Sequence, residues 1–160
     1  MILQAHPIPP RHLPRGGHTT AQLKGLRYQR ALTKAFKRSL SEDVTIIPEP
    51  WYQYTRKTSR GHIECNICAP DFVLTKDLTA IVIEVKLTFV YGAIEKLLDL
   101  YVPVITAAYP NLQRIMPLVV THTITPSAPP TITRISQALD TKRQTVPVLQ
   151  WLDRRSPLTW

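Results

Sequence analysis

The stretch that most constrains this chain is Pro70-Asp71 followed, after a spacer, by Ile81-Val82-Ile83-Glu84-Val85-Lys86. Ile81, Ile83, Val85 and Leu87 alternate with Val82, Glu84, Lys86 and Thr88. Strand side chains repeat every two residues, so this pattern predicts a strand with Glu84 and Lys86 on one side. A carboxylate and an ammonium inside an apolar strand need partners, because charges are seldom buried without them. Asp71 heads a second apolar run, Phe72-Val73-Leu74, with twelve residues between it and Glu84. A hairpin joining the two runs brings Asp71 near Glu84. Two hard oxygen donors side by side suit Mg²⁺ or Mn²⁺, and a neighbouring lysine balances charge, orients water or steadies a phosphate. The plainer alternative is a strand end where Glu84 and Lys86 form a partly solvated ion pair and Asp71 is a turn residue.

Pro70-Asp71, a spacer of hairpin length and Glu84-x-Lys86 on a strand, with a helix before and after, resemble the PD-(D/E)xK phosphodiesterases, the restriction-endonuclease-like nucleases. The resemblance runs from Leu23 to Thr125. It implies an α/β fold with an αβββαβ core, a central mixed sheet flanked by helices. It also implies metal-dependent cleavage of DNA by an endonuclease or exonuclease, in which Asp71 and Glu84 hold Mg²⁺ (or Mn²⁺), the Val85 carbonyl is a further ligand and Lys86 assists catalysis. Many members offer a glutamate from the first core helix; the matching position here is Gln29, a poorer metal ligand that suits the second sphere. From the helix after the motif the matching polar residue is Lys96, which an i,i+3 pair with Asp99 explains as well. The small size fits nucleases of repair, recombination or mobile elements, bacterial or phage-encoded, acting in the cytoplasm, with a homodimer as an option. The rival reading is a catalytically inactive nucleic-acid-binding or assembly protein on a nuclease-like fold, which the loss of the helix glutamate favours.

Charge supports a polyanion partner. The 160 residues carry a net charge of +9. Before Glu42 there are eight basic residues and no acidic one: Arg11, Arg15, Lys24, Arg27, Arg30, Lys34, Lys37 and Arg38. Such a basic half points to nucleic acid, through phosphate contacts from Lys24, Arg27, Lys34 and Arg38 and from Arg56, Lys57 and Arg60 in a polar turn at 55–61. No apolar run approaches the ~18–20 residues of a membrane helix, and no secretory leader is expected in a start so rich in proline.

In order, residues 1–20 read as a flexible basic arm, because Pro7, Pro9, Pro10, Pro14, Gly16 and Gly17 interrupt them. A helix runs from Thr19 or Thr20 to about Leu40, buried through Tyr28, Ala31, Leu32, Ala35, Phe36 and Leu40. Residues 43–54 read as a first strand bent or placed at an edge by Pro48 and Pro50, with Glu49 an exposed turn carboxylate and Trp51, Tyr52 and Tyr54 in the core. Residues 63–74 read as a second strand, 81–88 as the third, 91–102 as a helix ended or kinked at Pro103, and 112–125 as a fourth strand. The core is thus expected over 21–125. Residues 126–160 are expected to be a linker, a short helix over 131–142 through Ile132, Ile135 and Leu139, and a strand from Val146 at an edge or over the sheet. His62, Cys65 and Cys68 lack the fourth ligand of a structural zinc site, so buried free thiols are expected.

Overall fold

The computed structural model describes residues 1–11, 19–123, 131–135 and 143–151. The fold is mixed α/β with two sheets and few helices. In chain order the elements are β1 (Ile2–Ile8), α1 (Thr20–Ser39), β2 (Thr45–Pro48), β3 (Trp51–Lys57), β4 (Ile63–Cys68), β5 (Phe72–Lys76), β6 (Thr79–Thr88), α2 (Tyr91–Lys96), a π-helical turn (Leu97–Tyr101), α3 (Val102–Ala108), β7 (Arg114–Thr123), β8 (Thr131–Ile135) and β9 (Arg143–Gln150). A six-stranded sheet has the order β2-β5-β6-β7-β9-β8, and a three-stranded sheet the order β1-β3-β4.

Helix α1 begins where the sequence signals it. Thr19 caps it in a capping box with Gln22. Its apolar stripe of Tyr28, Leu32, Ala35 and Phe36 packs on one face of the large sheet, against Phe72, Leu74, Ile83, Leu118, Val120 and Trp151. The opposite face carries Val73, Ala80, Val82, Val119, Val146 and Val148 and packs under α2, the π turn and α3 through Ile94, Leu97, Tyr101, Val104 and Ile105. The alternation along β6 therefore resolves into two faces, Ile81, Ile83 and Val85 toward α1 and Ala80 and Val82 toward α2 and α3.

β5 and β6 form the expected hairpin, antiparallel with Phe72 opposite Ile83. Asp77 makes its turn at φ 51°. β6 then runs parallel to β7, joined through the helical segment. Pro103 neither ends nor breaks that segment. Proline lacks an N–H and crowds the carbonyl four residues back, and the chain widens into a π turn over Leu97–Tyr101 immediately before it.

Several expectations change. Residues 2–8 are a strand rather than a flexible arm, because β1 is the edge partner of β3, where Pro7 removes no interior hydrogen bond; Arg15 lies outside the described residues. The strand expected over 43–54 is two strands in different sheets. Pro48 and Pro50 flank Glu49, whose φ of 45° turns the chain from the large sheet into the small one. The strand expected over 63–74 is likewise split at Ala69-Pro70-Asp71, where the chain returns to the large sheet. Set aside the β3–β4 hairpin and the elements from α1 to β7 follow the order αβββαβ. Finally, residues 131–135 form a strand, not a helix: Thr131, Ile132, Thr133 and Ile135 are β-branched, and this preference outweighs the i,i+3 spacing. The expected linker at 125–130 and residues 136–142, with Leu139, lie outside the described residues. β9 sits inside the sheet between β7 and β8, so the core continues past residue 125.

No helix among the described residues is long and apolar enough to cross a membrane. Tyr52 and Tyr54 are buried as expected. Cys65 is exposed rather than buried, since β4 turns it outward, while Cys68 is half-buried and its thiol is pushed up to about 12 by burial.

Candidate active site

Glu84 is the most deeply buried charged side chain among the described residues, 1 % exposed. It follows Ala80 and Val82 on the α2 and α3 face of β6, where the sheet begins to run out beneath α2. One of its oxygens, Oε1, accepts from Lys86 Nζ at 2.7 Å and from Lys96 Nζ at 3.2 Å. Lys86 comes from the same side of the same strand. Lys96 descends from the last turn of α2, with its ammonium 4.9 Å from the centroid of the Tyr101 ring. The other oxygen, Oε2, is also buried and has no hydrogen-bond partner among the described residues. A buried carboxylate is stabilised only when its lone pairs are met, so Oε2 is the electrostatic gap in the cluster.

Asp71 enters from the end of the neighbouring strand. The β5–β6 ladder stops at Phe72–Ile83, and the Asp71 carboxylate takes the place of the next ladder acceptor: its Oδ2 accepts from the Val85 N–H at 2.6 Å. Its Oδ1 accepts from Gln29 Nε2 at 3.3 Å, which brings α1 into the site. The loop before Asp71 is fastened from the opposite layer, where Tyr101 donates its hydroxyl to the Ala69 carbonyl at 2.8 Å. Burial raises the Asp71 carboxyl to about 6, with the negative charge of Glu84 as the second cause; the Val85 N–H and the two lysines oppose it. Burial also raises the Tyr101 hydroxyl, so it stays a proton donor.

Asp71, Glu84, Val85, Lys86, Gln29 and Lys96 thus meet at one place, contributed by α1, the β5 entry, β6 and α2. Tyr101 joins them from the π turn, although it lies outside the motif. Its signal was available, since a buried tyrosine hydroxyl normally needs a partner. The basic residues divide. Arg56 and Lys57 line a polar cleft of about 570 Å³ that Lys96 also lines, along with Tyr54, Thr58 and Ser59. Arg56 is paired there with Glu64 at 2.9 Å. Arg60 is exposed in the β3–β4 turn and does not line the cleft. Lys24, Arg27, Lys34 and Arg38 are exposed on α1 and touch none of the site residues.

Among the described residues no three acidic, histidine or cysteine side chains gather as a ready metal cage. Mg²⁺ does not require one, because it commonly keeps several waters and is held by one or two carboxylates together with substrate phosphate oxygens. The donors here are of that kind: Asp71, the unmatched Glu84 Oε2 and the Val85 carbonyl, which points to the same edge as the Val85 N–H by the geometry of a strand. No protein-family model, curated protein or solved structure matches the chain.

Proposed function

We propose that this protein is a metal-dependent deoxyribonuclease of the restriction-endonuclease-like kind. The observation that carries the reading is the pairing of a buried, unmatched Glu84 Oε2 with Asp71, whose carboxyl is raised to about 6, both beside two lysines. The αβββαβ order that remains without the β3–β4 hairpin supports it as the core the resemblance implies.

In this reading Asp71 and Glu84 bind one divalent cation, and the Val85 carbonyl completes the protein's share of the donors. Held there, such a cation would supply Lewis acidity toward the scissile phosphate. Lys86 sits two residues from Glu84 and is one-third exposed, so its ammonium reaches both the carboxylate and solvent. It holds positive charge where the phosphate gains negative charge and orients the attacking water. Gln29 keeps Asp71 in place through Oδ1, and Lys96, with Lys57 and Arg56 in the adjoining cleft, contacts the DNA backbone. Replacing Asp71 or Lys86 by Ala is expected to abolish Mg²⁺-dependent cutting of a mixed panel of single-stranded, duplex and branched DNA, while binding persists. Full cutting by both variants would remove the proposal.

A second reading draws on a different observation. With Lys86 and Lys96 on Glu84 and Gln29 on Asp71, where a helix glutamate would add a donor, the cluster is internally neutral. That balance fits a catalytically inactive nucleic-acid-binding protein on the same fold. It predicts DNA binding with no Asp71-dependent uptake of Mg²⁺ or Mn²⁺.

A further inference from the structure

Helix α1 has two functional sides that point in different directions. At about 100° per residue, Arg27, Arg30, Lys34 and Arg38 lie roughly 100° to 180° around the axis from Gln29, and the packed Tyr28, Leu32, Ala35 and Phe36 lie at roughly 240° to 340°. Gln29 turns toward Asp71 and the candidate site. The four cations turn to solvent, where they line a groove of about 270 Å³ floored by Ala31. The row extends about 16 Å along the helix at 1.5 Å per residue.

Among the described residues no acidic side chain pairs with the row. The helix has no acidic residue anywhere along Thr20–Ser39. Arg30 with Lys34, and Lys34 with Arg38, are like-charge pairs four apart, an arrangement that destabilises a helix standing alone. A polyanion laid along the groove removes that repulsion. Phosphates of one strand rise about 3.4 Å along the axis while winding around it, so the row is long enough to follow a short stretch of one backbone. A membrane surface fits less well. Interfacial helices insert an apolar face, and α1 spends its apolar face on the sheet, leaving Leu23, before the row, as its one large exposed apolar side chain.

A straight duplex lying in this groove is tangent to the outer side of α1, while Asp71 lies on the Gln29 side of the helix, and the cleft beside the site is lined by Lys96, Arg56 and Lys57 rather than by the row. We infer that the outer row of α1 is a second nucleic-acid surface, which holds a duplex segment other than the one at the candidate site. The substrate class is then DNA that offers two segments to one chain, such as a branch, a crossing or a looped duplex. The inference rests on the nucleic-acid reading above but not on cleavage.

The test runs in EDTA, with one short duplex fixed to beads and a second, fluorescent duplex in solution. The full chain is compared with the triple variant Arg27→Glu, Lys34→Glu, Arg38→Glu, whose positions are all exposed and whose fold is checked by circular dichroism. The wild type is expected to recruit the fluorescent duplex, and light scattering to give the mass of one chain with two duplexes. The variant is expected to lose recruitment at least tenfold, to keep binding a single duplex, and to keep any Mg²⁺-dependent cutting of it within about twofold. Recruitment that survives in the variant overturns the inference, as does loss of single-duplex binding and cutting together, which would make the row part of the substrate path. Complexes of two chains with two duplexes overturn it too, as does row-dependent binding to phosphatidylserine vesicles without duplex recruitment. If the wild type binds no duplex, the nucleic-acid reading falls with it; if it binds and cuts one duplex but never recruits a second, only this inference falls.

Discussion

The β5–β6 hairpin places two opposite rules one residue apart. At the last pair of its ladder, Phe72 and Ile83 face each other, both fully buried against α1. Every group there is apolar or ladder-bonded, and burial is stabilising. One residue further, past the end of the ladder, Asp71 and Glu84 bring two acidic side chains into partial or full burial, one raised to about 6 and the other with an unmatched oxygen. That end costs stability in the folded protein. A fold that places such a cost beside a well-packed core, and then fastens it with Tyr101, Gln29 and the Val85 N–H, has the arrangement that marks a candidate site.

The comparison breaks or sharpens under substitution. The largest expected effect is Ile83→Ala at the apolar end, a loss of about 3–4 kcal/mol from the buried side chain and the cavity it leaves, read as a lower urea midpoint. Asp71→Asn should have the opposite sign. The Asp71 carboxyl is raised from its ordinary value of 3.8 to about 6 in the folded state, so the folded protein binds more protons than the unfolded chain between those values. Its contribution to stability is fully present below the unfolded value and is lost as pH rises through the folded one. Asn keeps an acceptor for the Val85 N–H without the charge. It should therefore stabilise the metal-free protein by up to about 3 kcal/mol at pH 7 and flatten the fall in melting temperature between pH 4 and pH 6. Destabilisation at pH 7 would place Asp71 with Ile83, as a structural residue. The smallest effect belongs to the turn that joins the strands: Asp77 sits at φ 51°, a conformation aspartate tolerates and β-branched residues do not, and Asp77→Val should cost about 1 kcal/mol without altering metal binding.

Much of this contrast could be read from the sequence, because it depends on local spacing. The two-residue period of β6, the hairpin length between Asp71 and Glu84 and the stripe on α1 each follow from neighbours along the chain. What could not be read depends on which sheet a strand joins. Pro48-Glu49-Pro50 and Ala69-Pro70-Asp71 look like bends within strands, and only the folded chain shows that they are crossings between sheets. β1 was hidden because Pro7 argues against a strand unless the strand is known to lie at an edge. Tyr101 was hidden for a related reason: the residue it serves, Ala69, is 32 positions away. In the site itself, the acidic residues and lysines were legible as residue types at a spacing, whereas the division of basic residues between the cleft and the outer side of α1 required the helix to be docked.

The most direct test of the central claim is a Mn²⁺ titration followed by electron paramagnetic resonance, on the wild type, Asp71→Asn and Glu84→Gln. The account predicts one saturable Mn²⁺ site in the wild type at neutral pH, displaced by Mg²⁺ and lost in both variants. No binding in the wild type, or binding that survives both substitutions, would contradict it and leave Asp71 as a strand-end cap and Glu84 as the centre of a structural ion cluster.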